Sequence, residues 1–304
     1  MESIGIVSTV KAPLSQLHRF VNYHLNVGVD HIILFFDDPN DEGLISFGDY
    51  SQVTTIACST EYWRDAYGYR PESIEARQKF NVNNAAKRLL VNKFCWLIHI
   101  DCDELIHPSR SLRELLSHAE SDVVVFKIME AVAEQAETEH IFHASLFKAR
   151  ERKRIIKGLD KLKCFHSIYR GEYFRGHVAS KSAVRVKPSL VGHYGIHAPL
   201  TSQDVTTQYM ESIELLHFDC VSVKEWKFKW NRRLDGTGLA LEMRDNRREQ
   251  MRLYEEAVKG GEETLVSLFI KMHGVRKIER PLFFLLGMLK RVKINEALFD
   301  RVIR

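Results

Sequence analysis

Asp101-Cys102-Asp103 places two carboxylates at i and i+2 of a segment that reads as extended. Residues spaced by two along an extended chain point to the same side, so both carboxylates can face one ligand. Carboxylate oxygens are the hard ligands that Mn²⁺ or Mg²⁺ prefers. An ion held there beside a diphosphate offsets the charge that otherwise makes the diphosphate a poor leaving group. The same triplet also has a bland reading, an acidic loop leading into a helix at Ser111. A second acidic string is Asp37-Asp38-Pro39-Asn40-Asp41. Its carboxylates can accept hydrogen bonds from a ribose or a uracil. The alternative is a simple turn, because Asp, Pro and Asn are ordinary turn formers.

Both strings follow apolar runs. Residues 4–8 are a short strand candidate. Pro13 opens a helix in which Leu14, Leu17, Val21 and Leu25 recur at helical spacing, and Gly28 stops it. Residues 31–36 (HIILFF) read as a buried strand that ends at Asp37, and residues 52–58 as a weaker one. A second helix covers 72–92, with Val82, Ala85, Ala86, Leu89 and Leu90 on one stripe. Residues 95–100 (CWLIHI) form a third buried strand ending at Asp101. This order predicts an α/β fold with a doubly wound, mostly parallel, Rossmann-like sheet. Such sheets bind ligands beyond the carboxyl ends of their strands, where both acidic strings fall. A helix over 111–119 and a strand over 122–128 follow, then an irregular stretch over 129–200. Residues 222–259 read as helical, with Trp226, Phe228 and Trp230 near their start. The expected organisation is one domain over 1–220, its first half ending near 105, and a helical C-terminal extension over 221–304.

Composition excludes several classes. With 304 residues and 45% hydrophobic content the chain can bury a sizeable core. A net charge of +4 is too mild for a nucleic-acid partner, and no nucleic-acid-binding signature is present. Cys58, Cys95, Cys102, Cys164 and Cys220 are scattered and contain no CxxC. That pattern predicts free thiols in a reducing compartment and no structural zinc. No signal-like start and no membrane-length apolar run is seen, so a cytoplasmic address is expected. Neither GxxxxGK[ST] nor GxGxxG occurs, which leaves phosphate to a metal and side chains. Basic residues recur over 148–163 and read mainly as a solvated loop, one or two of them able to reach phosphate oxygens.

The string VSTVKAPLSQLHRFVNYHLNVGVDHIILFFDD resembles the opening of glycosyltransferase family 2-like and family 92-like proteins. The matches are Tyr23-His24, Gly28-Val29-Asp30-His31 and Asp37-Asp38. Arg77-Gln78 and residues 81–85 (NVNNA) look like the family's helix before its acidic motif, and residues 96–105 (WLIHIDCDEL) like that motif. Residues 191–199 (VGHYGIHAP) and 215–218 (LLHF) are similar to later elements. The likeness covers roughly 4–230 and departs at Lys11-Ala12-Pro13, where the family has Asn-Glu. It implies a GT-A type fold and a nucleotide-sugar donor, a UDP-sugar first. It also implies a divalent ion on Asp101 and Asp103, with His217 as a late histidine ligand. Donor contacts would come from Asp37, Asp38, Arg77, Gln78, Asp101 and His197. An inverting reaction needs a carboxylate to deprotonate the acceptor hydroxyl. Asp219, which shares strand parity with His217, and Asp204 are the candidates. A retaining reaction needs no such base. His99 reads as a core residue and His193 as structural. The acceptor implied is a glycan or lipid-linked sugar of surface-polysaccharide synthesis. Two alternatives stand beside this. A nucleotidyltransferase would normally show a glycine-rich phosphate loop, and VSTVKAPLS has no glycine. A non-catalytic nucleotide-binding scaffold would need no intact Asp101, Asp103 and His217.

Residues 275–304 hold eight Lys or Arg, three Asp or Glu and the apolar run 281–289 (PLFFLLGML). One expectation is a helix packed on the domain. The other is an interfacial helix giving peripheral contact with the inner face of the membrane. There Leu282, Phe283, Leu286 and Leu289 would enter the headgroup boundary, and Arg280, Lys290, Arg291 and Lys293 would meet anionic lipid.

Overall fold

A computed structural model describes residues 2–149, 153–163, 165, 168, 172–176, 178–201, 205–234 and 245–301. In chain order the elements are β1 (Ile4–Val10), α1 (Leu14–Asn26), β2 (His31–Phe36), α2 (Gly43–Ser46), β3 (Val53–Ala57), α3 (Thr60–Tyr67), α4 (Ile74–Val91), β4 (Trp96–His99), β5 (Glu104–Pro108) and α5 (Leu112–Ser117). There follow β6 (Val123–Ala131), β7 (Leu146–Ala149), α6 (Lys153–Lys161), β8 (Ser182–Arg185), β9 (Thr207–His217), α7 (Val223–Leu234), α8 (Asp245–Lys259), α9 (Glu262–His273), α10 (Arg280–Leu285), β10 (Leu289–Arg291) and α11 (Ala297–Asp300). The chain groups into two compact units that alternate along the sequence. Met1–Ile128, Ala179–Leu215 and Asn295–Arg304 form the first; Met129–Val178 and Leu216–Ile294 form the second.

The first unit is α/β. Its sheet has a parallel block in the order β4-β1-β2-β3. Strands buried on both faces read as unbroken apolar runs, and every residue of β1 is buried. β8 continues this sheet antiparallel to β4, and residues 123–125 of β6 lie antiparallel to β8. β5 pairs with β9. The expected strands at 4–8, 31–36, 52–58 and 95–100 are thus present, and the expected helices are α1 and α4. α4 sets Val82, Ala85, Ala86 and Leu89 into a core with Val7, Ile33, Phe35 and Leu97. The approach is close: a Cβ at Gly5 would lie 2.7 Å from a Leu89 methyl. α4 starts where Ser73 accepts the Ala76 N–H, an N-cap. α11 docks on α1, where Asn22 Nδ2 donates to the Phe299 carbonyl at 2.8 Å.

In the second unit residues 129–131 of β6 pair antiparallel with β7, and β7 with β10. Helices α7, α8 and α9 close on Trp226, Trp230, Tyr254 and Phe269. Two expectations are corrected here. The C-terminal apolar run is not one continuous helix: α10 has six residues, and Leu289 already belongs to β10. Phe283 and Leu289 are buried, while Leu282 and Leu286 are half-buried. Phe283 packs against the rings of Phe165 and Tyr173. Phe283 and Leu289 thus face inward, whereas Phe284 and Leu285 of the same run are exposed. Lys148 is the second correction, since it is fully buried and donates to Glu130 Oε1 at 3.1 Å rather than lying in a solvated loop. No helix among the described residues is long and apolar enough to cross a membrane. Cys58, Cys95, Cys102 and Cys220 are free thiols, and Cys164 lies outside the described residues.

Candidate functional site

The parallel block brings the carboxyl ends of β2 and β4 to one edge of the sheet, with β1 between them. Neighbouring strands lie about 4.8 Å apart, so the two ends are separated by roughly 10 Å. Backbone ladders fix both exits. The Asp37 N–H donates to the Val10 carbonyl at 3.1 Å, and the Ile100 N–H to the Val7 carbonyl at 3.2 Å. Asp37 and the Asp101–Asp103 pair therefore emerge on the edge where such sheets hold ligands.

At the end of β2, Asp37 is clamped. Arg70 donates to both its oxygens at 3.0 and 3.1 Å, and Arg77 NH2 to Oδ2 at 3.2 Å. Arg77 is itself buried and donates through NH1 to the Pro71 and Glu72 carbonyls. Two guanidinium groups thus meet one carboxylate. Asp38 shapes the following turn, its Oδ1 accepting the Asn40 N–H at 3.1 Å.

At the end of β4 the balance is reversed. Gln78 Nε2 donates to Asp101 Oδ1 at 2.7 Å, and Lys181 Nζ to Oδ2 at 2.9 Å. Glu104 Oε2 accepts the Asp101 N–H at 2.9 Å and lies 3.7 Å from the Lys181 ammonium. Gln16 Nε2 donates to the Cys102 carbonyl at 2.9 Å, which fixes the backbone between the two aspartates. Lys181 is almost completely buried. Burial opposes its charge, but Asp101, Glu104 and Asp103 outweigh it and raise the ammonium pKa. Asp101 and Glu104 therefore flank the buried lysine directly, and the charge of Asp103 adds to theirs. His99 lies below, its Nδ1 3.0 Å from the Ile196 carbonyl. Burial, then the Lys181 charge, lowers its pKa to about 3, so it is neutral. His197 is half-buried, its Nδ1 3.2 Å from the Ser180 carbonyl and its own carbonyl accepting from Ser182.

His217 and Asp219 belong to the second unit, and both are buried. Lys229 donates to Asp219 Oδ1 at 3.0 Å, and Arg247 stands 3.9 Å from Oδ2. Burial alone would raise the Asp219 pKa. The charges of Lys229, Arg247, His217 and Arg233 reverse this and hold the carboxyl well below the usual range. A side chain at Gly176 would come within 3.0 Å of the His217 ring and 3.2 Å of the Glu130 carboxylate. Glu130 accepts the N–H groups of Arg175 and Gly176. Asp204 lies outside the described residues.

The structure thus gathers Asp101, Gln78 and Asp103 in one cluster, ties Arg77 to Asp37, and sets His197 beside the residue that precedes Lys181. Sequence reasoning missed Lys181, Glu104, Arg70 and the Glu130–Lys148 pair. Only Glu104 carried a local signal, its adjacency to the acidic triplet.

Fold and site together define an α/β protein with an acidic cluster at the carboxyl edge of a parallel strand block. The model of glycosyltransferase family 92 matches residues 7–252. The chain belongs to that family. It is 33% identical over 216 residues to "Glycosyltransferase-like At3g57200" of Arabidopsis thaliana, covering 63% of this chain and 39% of that protein. It is 27% identical over 219 residues to "Glycosyltransferase-like At2g41451" of the same plant, covering 62% of this chain and 47% of that protein. The chain thus spans less than half the length of these curated relatives. Among solved structures, S. aureus TarS 1-349 aligns with a TM-score of 0.39 at 10% identity, over 93% of this chain and 78% of that one.

Proposed function

We propose that this chain is a metal-dependent glycosyltransferase of the GT-A type. It moves a sugar from a nucleotide sugar, a UDP-sugar first, to a glycan or lipid-linked acceptor in surface-polysaccharide synthesis, and it works in the cytoplasm. Family membership supports the transferase class. The observation that carries the metal is the cluster of Asp101, Asp103 and Glu104 around the single ammonium of Lys181.

The donor set fits a hard divalent cation, since carboxylate oxygens are what Mn²⁺ and Mg²⁺ take. When bound, such an ion supplies Lewis-acid stabilisation of the departing diphosphate. Asp101 and Asp103 are the proposed ligands, and His217 is added on the family likeness of residues 215–218. Gln78 and Lys181 hold the Asp101 carboxylate in one orientation. Asp37, Asp38 and His197 are the proposed contacts to ribose, base or sugar, and Arg77 acts by fixing Asp37. For an inverting reaction Asp219 and Asp204 are the proposed proton acceptors. Asp219 is ionised at any working pH, as a base must be, although its ion pairs weaken its basicity.

The test is a panel of nucleotide sugars incubated with the protein in Mn²⁺, in Mg²⁺ and in EDTA, with release of nucleoside diphosphate as readout. At least one UDP-sugar is expected to be cleaved with metal and not in EDTA. Equal cleavage in EDTA contradicts the metal. No cleavage and no thermal stabilisation by any nucleotide sugar contradicts the transferase.

A further inference from the structure

We propose that Lys181 makes the acidic site selective for a cation that arrives together with a diphosphate, by acting as a resident monovalent counter-charge against a bare divalent ion. This rests on the metal-dependent reading above. It concerns a residue that no sequence motif contains.

Lys181 directly precedes β8, which runs antiparallel to β4 with Ala183 opposite Ile98. Continuing that register sets Lys181 opposite Ile100, one residue before Asp101. Its ammonium reaches Asp101 Oδ2 at 2.9 Å and Glu104 Oε2 at 3.7 Å. Glu104 is completely buried and also accepts the Asp101 N–H. The lysine is therefore built into the floor of the site and does not sweep in from solvent. It engages one oxygen of Asp101, and Gln78 engages the other.

Two consequences follow. Asp101 cannot turn freely to wrap a cation, because both of its oxygens are directionally bonded. A divalent ion beside Asp101 also lies within a few ångströms of a fixed positive charge. A unit charge about 5 Å from a divalent ion weakens binding by roughly tenfold even at water-like screening. A diphosphate brings enough negative charge to offset that repulsion. The bare ion is held poorly, and the ion–diphosphate complex is held well.

The experiment measures Mn²⁺ binding to the full chain with and without UDP, by the electron paramagnetic resonance signal of free Mn²⁺. Wild type, Lys181→Arg, Lys181→Met and Lys181→Gln are compared, each checked for a cooperative thermal transition. Lys181→Gln keeps a hydrogen-bond donor and serves if Lys181→Met leaves buried Glu104 too poorly matched to fold. Wild type and Lys181→Arg are expected to bind bare Mn²⁺ weakly and Mn²⁺ with UDP at least tenfold more tightly. The neutral variants are expected to bind bare Mn²⁺ at least tenfold more tightly than wild type, so that the advantage of UDP shrinks. If the neutral variants bind bare Mn²⁺ as wild type does while Mn²⁺ with UDP still binds, the role of Lys181 is overturned and the metal site stands. If wild type binds no Mn²⁺ even with UDP, both fall.

Discussion

The carboxyl ends of β2 and β4 lie on one sheet edge and carry similar acidic strings, yet they are electrostatic opposites. At β2 two arginines close on Asp37. At β4 one lysine lies among Asp101, Asp103 and Glu104. The first arrangement is a strut, because Arg77 belongs to α4 and Arg70 to the segment before it, and both tie that segment to the sheet. The second leaves negative charge in surplus, which is what the proposed cation needs. Aspartate by itself thus decides little; the cations that the fold delivers to it decide what it does.

The largest expected effect is at β4. Asp103→Ala should lower transfer by at least about 10²-fold, the scale for losing a preorganised electrostatic group, with an unchanged thermal transition. Near-wild-type turnover in that variant breaks the contrast on the catalytic side. Next comes the strut. Arg77→Ala leaves the enclosed Asp37 carboxylate short of a partner and removes the bonds to Pro71 and Glu72. It should cost about 3 kcal/mol of stability, read from chemical denaturation, with bare Mn²⁺ binding unchanged. A loss under about 0.5 kcal/mol would mean that Asp37 is not held as a strut.

Per pH unit the smallest effect is graded and comes from acid. The β4 cluster leads into β5, where the Ile106 N–H donates to Nε2 of fully buried His24. Nδ1 of the same ring faces the Phe20 carbonyl at 2.8 Å. Burial lowers the His24 pKa to about 3 from 6.5. Between those values the unfolded chain holds a proton that the folded chain does not. Stability is therefore fully present above pH 6.5 and falls as pH drops through that window, by at most about 1.4 kcal/mol per pH unit from this group. His24→Asn should flatten the slope between pH 6 and 4. An unchanged slope would show that His24 is not buried in its neutral form.

Much of the first unit was legible in the sequence. β1, β2 and β4 are mostly apolar because parallel strands are buried on both faces, and Pro13 and Gly28 bracket α1 from either end. The acidic exits could be placed because they end those runs. Lys181 could not be found this way. It stands between two serines before a four-residue strand, and its burial comes from the pairing of β8 with β4, which local periodicity does not encode. Lys148 was hidden for the same reason, since only the β6–β7 register sets it opposite Glu130. The run PLFFLLGML has no helical length to decide its state, and pairing with β7 takes Leu289 into a strand.

The central claim is that the end of β4 holds a divalent cation with a nucleoside diphosphate. Calorimetric titration of UDP into the full chain, with Mn²⁺ and then with EDTA, tests it most directly. At least tenfold tighter binding with Mn²⁺ is predicted, with the gain abolished in Asp103→Ala. Equal UDP affinity in Mn²⁺ and EDTA, or a Mn²⁺ gain that survives the loss of Asp103, would contradict it.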